Sequence, residues 1–193
     1  MASLALPFFF CEGGNYMKST LQVRKMALSA VCLALCLLLP FLTGQIPEIG
    51  SKLSPMHIPV LLSGFLCGWP WGLLVGLIAP PLRFLLFGMP PIFPTGAAMM
   101  AELAVYGAAA GIFYRLLPRK AWALYGALLI AMLLGRIAWG AMQWIFLMAG
   151  AADFSFQTFL AGAFLNAWPG IICHVLIIPP IVAALRKAKV MAQ

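Results

Sequence analysis

Charge is what this sequence has least of. Only 8% of its 193 residues are charged and four are acidic, against 64% hydrophobic. A water-soluble domain of this size cannot hide that much apolar surface in one core, so the composition excludes a soluble fold and implies an integral membrane protein. Catalytic signatures are missing as well. There is no G-x-S-x-G, no H-E-x-x-H and no helix with paired acids, and Ser63 lies too far round the helix from His57 to form a dyad. An intramembrane hydrolase is the main enzyme reading that this disfavours. The five cysteines include no C-x-x-C pair and no Cys/His spacing suited to zinc. Cys32, Cys36, Cys67 and Cys173 fall inside apolar runs, where a thiol serves as a small packing residue. No cofactor and no metal are expected. A chain of this length leaves no room for a soluble ATPase domain beside a membrane bundle, so energy from ATP has to come from partners.

What charge there is, is basic. The net charge of +8 does not indicate nucleic acid, because the cations sit in small groups at the edges of apolar runs. There they act as topology signals. At the amino end, "MASLALPFFFCEGGNY" has no basic region ahead of its apolar stretch, and "FFFC" lacks the small residues that precede a lipidated cysteine. Glu12-Gly13-Gly14 is encoded by a GAR-GGN-GGN run, which resembles a ribosome-binding site just upstream of Met17. The expectation is a native start at Met17, with residues 1–16 outside the fold and 17–193 forming one domain. An N-terminal peptide beginning upstream of Met17 in protein from the native host overturns it.

Apolar runs long enough for about 30 Å of hydrocarbon give the spans. They cover residues 26–42, 57–68, 71–88, 95–117, 121–150 and 156–185, separated by Gly/Pro-rich loops such as "GMPPIFPTG". The second run is short and could join the third as one kinked helix. Charge decides between the two readings. Lys18, Arg24 and Lys25 precede the first span, Arg115, Arg119 and Lys120 follow the fourth, and Arg186, Lys187 and Lys189 follow the sixth. The positive-inside rule puts all three groups in the cytoplasm, which needs an even number of crossings between them. The expectation is an all-α membrane protein with six transmembrane helices in one compact bundle and both termini cytoplasmic. Glu48, Lys52 and Asp153 then lie on the outer side. The two halves show none of the internal symmetry common in secondary transporters, which counts against a stand-alone carrier without eliminating it.

An ionisable side chain at bilayer depth is expensive, so it faces a partner or a wet cavity. On this topology His57, Arg83, Glu102, Arg136, Gln143 and Asn166 gather in the outer half. Glu102 and Tyr106 are four residues apart on one helix face, and Arg136, Trp139 and Gln143 form one stripe of the fifth helix. The candidate ligand-binding residues are therefore His57, Arg83, Glu102, Tyr106, Arg136, Trp139, Gln143 and Asn166, a few polar anchors among apolar walls. Plainer readings stand beside this one. Glu102 could neutralise either arginine as a structural pair, Arg83 could snorkel to the interface, and His57 could only cap a helix start. His174 reads as a satisfied bundle residue rather than a ligand contact. Ala30 and Ala34, extended by Ala27, form a small-xxx-small stripe on the first helix, suited to close helix approach or to ordinary packing.

Taken together, "RKMALSAVCLAL", "MHIPVLLSGFLCGWPWGLLVGLIAPPLR" and "GMPPIFPTGAAMMAELAVYGAAAGIFY" followed by a basic tail resemble the S component of energy-coupling factor (ECF) vitamin transporters. The resemblance runs from Met17 to the end. It implies a non-enzymatic, multi-pass subunit in a bacterial plasma membrane that binds a vitamin or related micronutrient at its outer side. It also implies that Ala27, Ala30 and Ala34 contact a membrane T component attached to two cytoplasmic ATPases, and that loops 43–56 and 88–95 gate the site. Signatures of thiamine or biotin binders are missing. Two intramembrane arginines and His57 favour an anion, with pantothenate first and nicotinate or another small acid behind it.

Overall fold

The computed structural model describes residues 12–42, 54–118, 121–150 and 168–188. Every regular element among them is helical: α1 (Glu12–Leu42), α2 (His57–Cys67), α3 (Trp69–Phe87), α4 (Ala97–Leu116), α5 (Ala121–Met148) and α6 (Trp168–Lys187), with one π-type turn, Ile92–Gly96, leading into α4. Among the described residues, five stretches are long and apolar enough to cross a membrane: Thr20–Phe41, Trp69–Phe87, Ile92–Leu116, Trp122–Met148 and Trp168–Lys187.

Boundaries shift from the sequence expectation in two places. α1 begins at Glu12 rather than near residue 26, taking in the last five residues of the stretch read as outside the fold. No proline lies between Pro7 and Pro40, so no residue before Pro40 removes an amide donor from the ladder. The break between α2 and α3 is Gly68 alone rather than "GWPWG". Trp69 and Pro70 already belong to α3, because the first turn of a helix leaves its amides unpaired and accepts proline. The expected start of the sixth span at residue 156, together with Asn166, Glu48, Lys52 and Asp153, lies outside the described residues.

α2 is the centre of the molecule. Its 11 residues are buried without exception. At about 1.5 Å per residue it is roughly half the length of a hydrocarbon core, so its end groups would be stranded in lipid without protein around them. α1, α3, α4 and α6 pack around it and supply that surround. Its backbone is also closed locally: the His57 amide donates to Ser54 O and the Gly68 amide to Gly64 O.

The chain reverses at Gly68, whose φ of 100° and ψ of 171° suit only glycine. Had α2 and α3 been one helix, Gly64 and Gly72 would stand about 12 Å apart. Instead a Cβ placed on Gly72 falls 2.8 Å from Gly64 Cα. Segments two and three are thus two helices folded back on each other. They cross α4 at its glycine: a Cβ on Gly107 would run into the Gly72 carbonyl, and one on Gly72 or Gly64 into Gly107 O. Backbone meets backbone here, the close approach that drives helix association where water exclusion cannot.

Large apolar side chains cover the outside. Leu38, Leu85, Leu133, Ile137 and Leu176 are among those half or more exposed, on α1, α3, α5 and α6. α1 is two-faced: Ser29, Cys32, Cys36 and Pro40 turn inward at helical spacing, while Ala27, Ala30 and Ala34 lie on the exposed side. That position removes the reading of the alanine stripe as packing within the bundle.

Candidate functional site

Glu102, 2% exposed and two turns into α4, collects the polar side chains at the His57 end of the bundle. Its Oε1 lies 3.1 Å from Arg136 Nη1 on α5 and 3.5 Å from His57 Nε2 on α2. Tyr106, one turn further along α4, brings its hydroxyl to the same carboxylate. The Tyr106 ring meets the His57 ring edge-on, with centroids 5.0 Å apart. It also lies 2.5 Å from where a Cβ on Gly135 would sit, so only glycine at that position of α5 admits the ring.

His57 is held from both sides. Its Nδ1 pairs with Ser54 O at 3.1 Å, the local contact expected of a residue at a helix start, and the other nitrogen faces Glu102. On its remaining face the ring stacks on His174 of α6, at 5.9 Å and 25°. His174 is 2% exposed, and neither of its ring nitrogens completes a well-formed hydrogen bond: the Ser54 carbonyl approaches the ring but is already held by His57 Nδ1 at 3.1 Å. Sequence reasoning passed over this residue. Its only signal was being one of two histidines in the chain, and helical spacing along α6 says nothing about a partner on α2.

The three residues of the α5 stripe share one helix. Arg136, Trp139 and Gln143 are all partly buried. Arg136 Nε and Gln143 Oε1 are buried without a hydrogen-bond partner. The guanidinium is thus tied at Nη1 and unpaired at Nε, and a guanidinium fork has the geometry to pair with a carboxylate.

Arg83 is elsewhere. It is buried, donates through Nη1 to Leu37 O at 3.3 Å, and holds its guanidinium 5.9 Å and 5.7 Å from the Phe41 and Phe87 ring centroids. The two aromatic rings and a backbone carbonyl give the cation partners within the protein. Among the described residues, the ion pairs of Glu102 are with His57 and Arg136, and none is with Arg83. Arg83 thus pins the end of α1 to the end of α3. Beyond α3, the 88–96 turn places Phe93 edge-on against Phe146 of α5, with centroids 4.9 Å apart.

At the opposite end, Arg115 in the last turn of α4 packs on the reversal, its Nη2 lying 2.8 Å from a Cβ placed on Gly68. The polar cluster and this basic turn therefore mark two different ends of the bundle. Among the described residues no group of three or more His, Cys, Asp or Glu side chains could hold a metal ion.

A sequence-family model described as ECF transporter, substrate-specific component matches residues 24–182, well over half of the chain. No curated protein and no solved structure matches.

Proposed function

The chain belongs to the family of ECF transporter substrate-specific components, and from that premise we propose that it captures a small vitamin-like carboxylate on Arg136. Members of this family are transporter subunits rather than enzymes. The reading of an anionic ligand rests on one observation: Glu102 holds Arg136 by Nη1 at 3.1 Å while Arg136 Nε stays buried and unpaired. Glu102 balances the charge of Arg136 but takes only one end of its guanidinium fork, and an incoming carboxylate can accept from the donor left over. Pantothenate is the first candidate, followed by nicotinate or another small acid.

In this reading the Glu102 cluster lies in the outer half of a bacterial plasma membrane and the Gly68–Arg115 end lies inside. Six helices cross, α2 being the short central one, with both termini cytoplasmic. The 88–96 turn, seated on α5 through Phe93 and Phe146, works as part of a lid with loop 43–56. The exposed Ala27, Ala30 and Ala34 face offers a docking strip to a T component, and two cytoplasmic ATPases supply the energy.

Binding by the isolated protein tests the proposal. Titration with pantothenate and nicotinate in detergent, without ATP, is expected to give a dissociation constant on the order of micromolar or tighter for one of them. Mass spectrometry of small molecules released from purified protein should find a carboxylate in the wild type and none in Arg136→Ala. Equal retention by the two proteins overturns the site. Uptake into proteoliposomes by this protein alone, under an ion gradient, overturns the coupling to ATPases.

A further inference from the structure

We propose that His174 reads a second, uncharged hydrogen-bonding group on the ligand, so that the substrate is a bifunctional acid rather than a simple carboxylate. This rests on the Arg136 reading and extends it. His174 is 2% exposed, on a different helix from every other member of the cluster, and stacked on His57. Both of its nitrogens are buried without a well-formed hydrogen bond, and the Ser54 carbonyl that approaches the ring is already held by His57 Nδ1. A buried imidazole in that state is costly to the fold, and an apolar ring of similar shape there would be cheaper. A histidine at this place is explained when something other than the protein satisfies it.

The chemistry of that group follows from the neighbours. His57 and Glu102 stand between His174 and Arg136, so the position next to His174 is set apart from the one that grips the anion. A neutral imidazole offers one donor and one acceptor, which matches a hydroxyl or a pyridine-type nitrogen. On α5, the unpaired Gln143 Oε1 adds an acceptor for a donor-bearing group. The ligand class is a small carboxylic acid with a neutral polar function a few bonds from its carboxylate.

Two matched pairs of probes test this. Nicotinate and benzoate differ only in the ring nitrogen. Pantothenate and its dideoxy analogue share the carboxylate and amide and differ in the hydroxyls. Wild-type protein is expected to bind the polar member of at least one pair about tenfold to a hundredfold more tightly than its partner. His174→Phe should bring that ratio close to one while binding persists, His174→Gln should keep part of it, and ligand-free His174→Phe should melt no lower than wild type. A ratio unchanged in His174→Phe, or no discrimination by the wild type within either pair, overturns the assignment while leaving the Arg136 site standing. If none of the four probes binds wild-type protein, the anion reading falls and the His174 assignment falls with it.

Discussion

Arg136 and Glu102 meet at 3.1 Å across the α4–α5 interface, with the carboxylate almost fully buried and the guanidinium partly so. Taking one charge away strands the other in a low-dielectric bundle, at a cost of about 3–5 kcal/mol. Glu102→Gln and Arg136→Met should each lower the melting temperature in detergent. The double variant should lose clearly less than their sum, giving a coupling of at least about 1 kcal/mol. Strictly additive losses would show that the two groups do not act as a pair.

Arg83→Met removes a hydrogen bond to Leu37 O and the guanidinium contacts with Phe41 and Phe87. A loss of stability of about 1–3 kcal/mol is expected. Ligand affinity should fall far less than in Arg136→Ala. A loss of binding as large as that of Arg136→Ala, with stability unchanged, would return Arg83 to the ligand site.

Gly107→Ala puts a methyl group into the Gly72 backbone, and neither helix can yield without repacking α2. The expected cost is about 1–3 kcal/mol or more, seen as a lower yield of monodisperse protein and a lower melting temperature. Gly126→Ala is the control. Its added carbon would meet Leu117 Cδ2 at an ordinary 3.5 Å, so stability should hold or rise slightly. Equal behaviour of the two variants would mean that α3 and α4 do not cross at these glycines.

Ala30→Trp and Ala34→Trp enlarge the exposed face of α1 without touching its buried stripe of Ser29, Cys32 and Cys36. Binding of the probe carboxylates should survive, while uptake in cells co-expressing the T component and ATPases should stop. Normal uptake in both variants would remove this face as the docking strip. Loss of binding along with uptake would place the alanines in the fold instead.

Sidedness is open to direct chemistry at two exposed positions, Leu116 beside the Arg115 turn and Met89 in the turn after α3. In intact cells, a membrane-impermeant maleimide should label Met89→Cys and spare Leu116→Cys. The reverse pattern would put the Glu102 cluster on the cytoplasmic side.

Much of the fold is legible in the residues because a bilayer accepts so few backbone arrangements. The apolar runs located α1, α3, α4 and α5, and the parity of the basic clusters separated α2 from α3, as the reversal at Gly68 bears out. The small-residue stripe was visible too, but its exposure was not. Within the candidate site, helical spacing brought Glu102 together with Tyr106, and Arg136 with Gln143, since each pair shares one helix. It could not choose between Arg83 and Arg136 as the partner of Glu102, and it read His174 as satisfied where the fold leaves both ring nitrogens short of a well-formed hydrogen bond.

The sequence by itself determined the composition of each helix face and the order of the helices, because both follow from a fixed rise and turn per residue and from the cost of charge in hydrocarbon. Only the tertiary structure decided which faces meet. Gly107 against Gly72 locks α4 on α3, and Gly135 lets Tyr106 lie against α5. Arg83 goes to Leu37 because the end of α1 packs against it, and His174 goes to His57 because α6 packs on α2. The rotation of one helix against another depends on side-chain volumes from both at once, and no periodicity within a single segment contains that information.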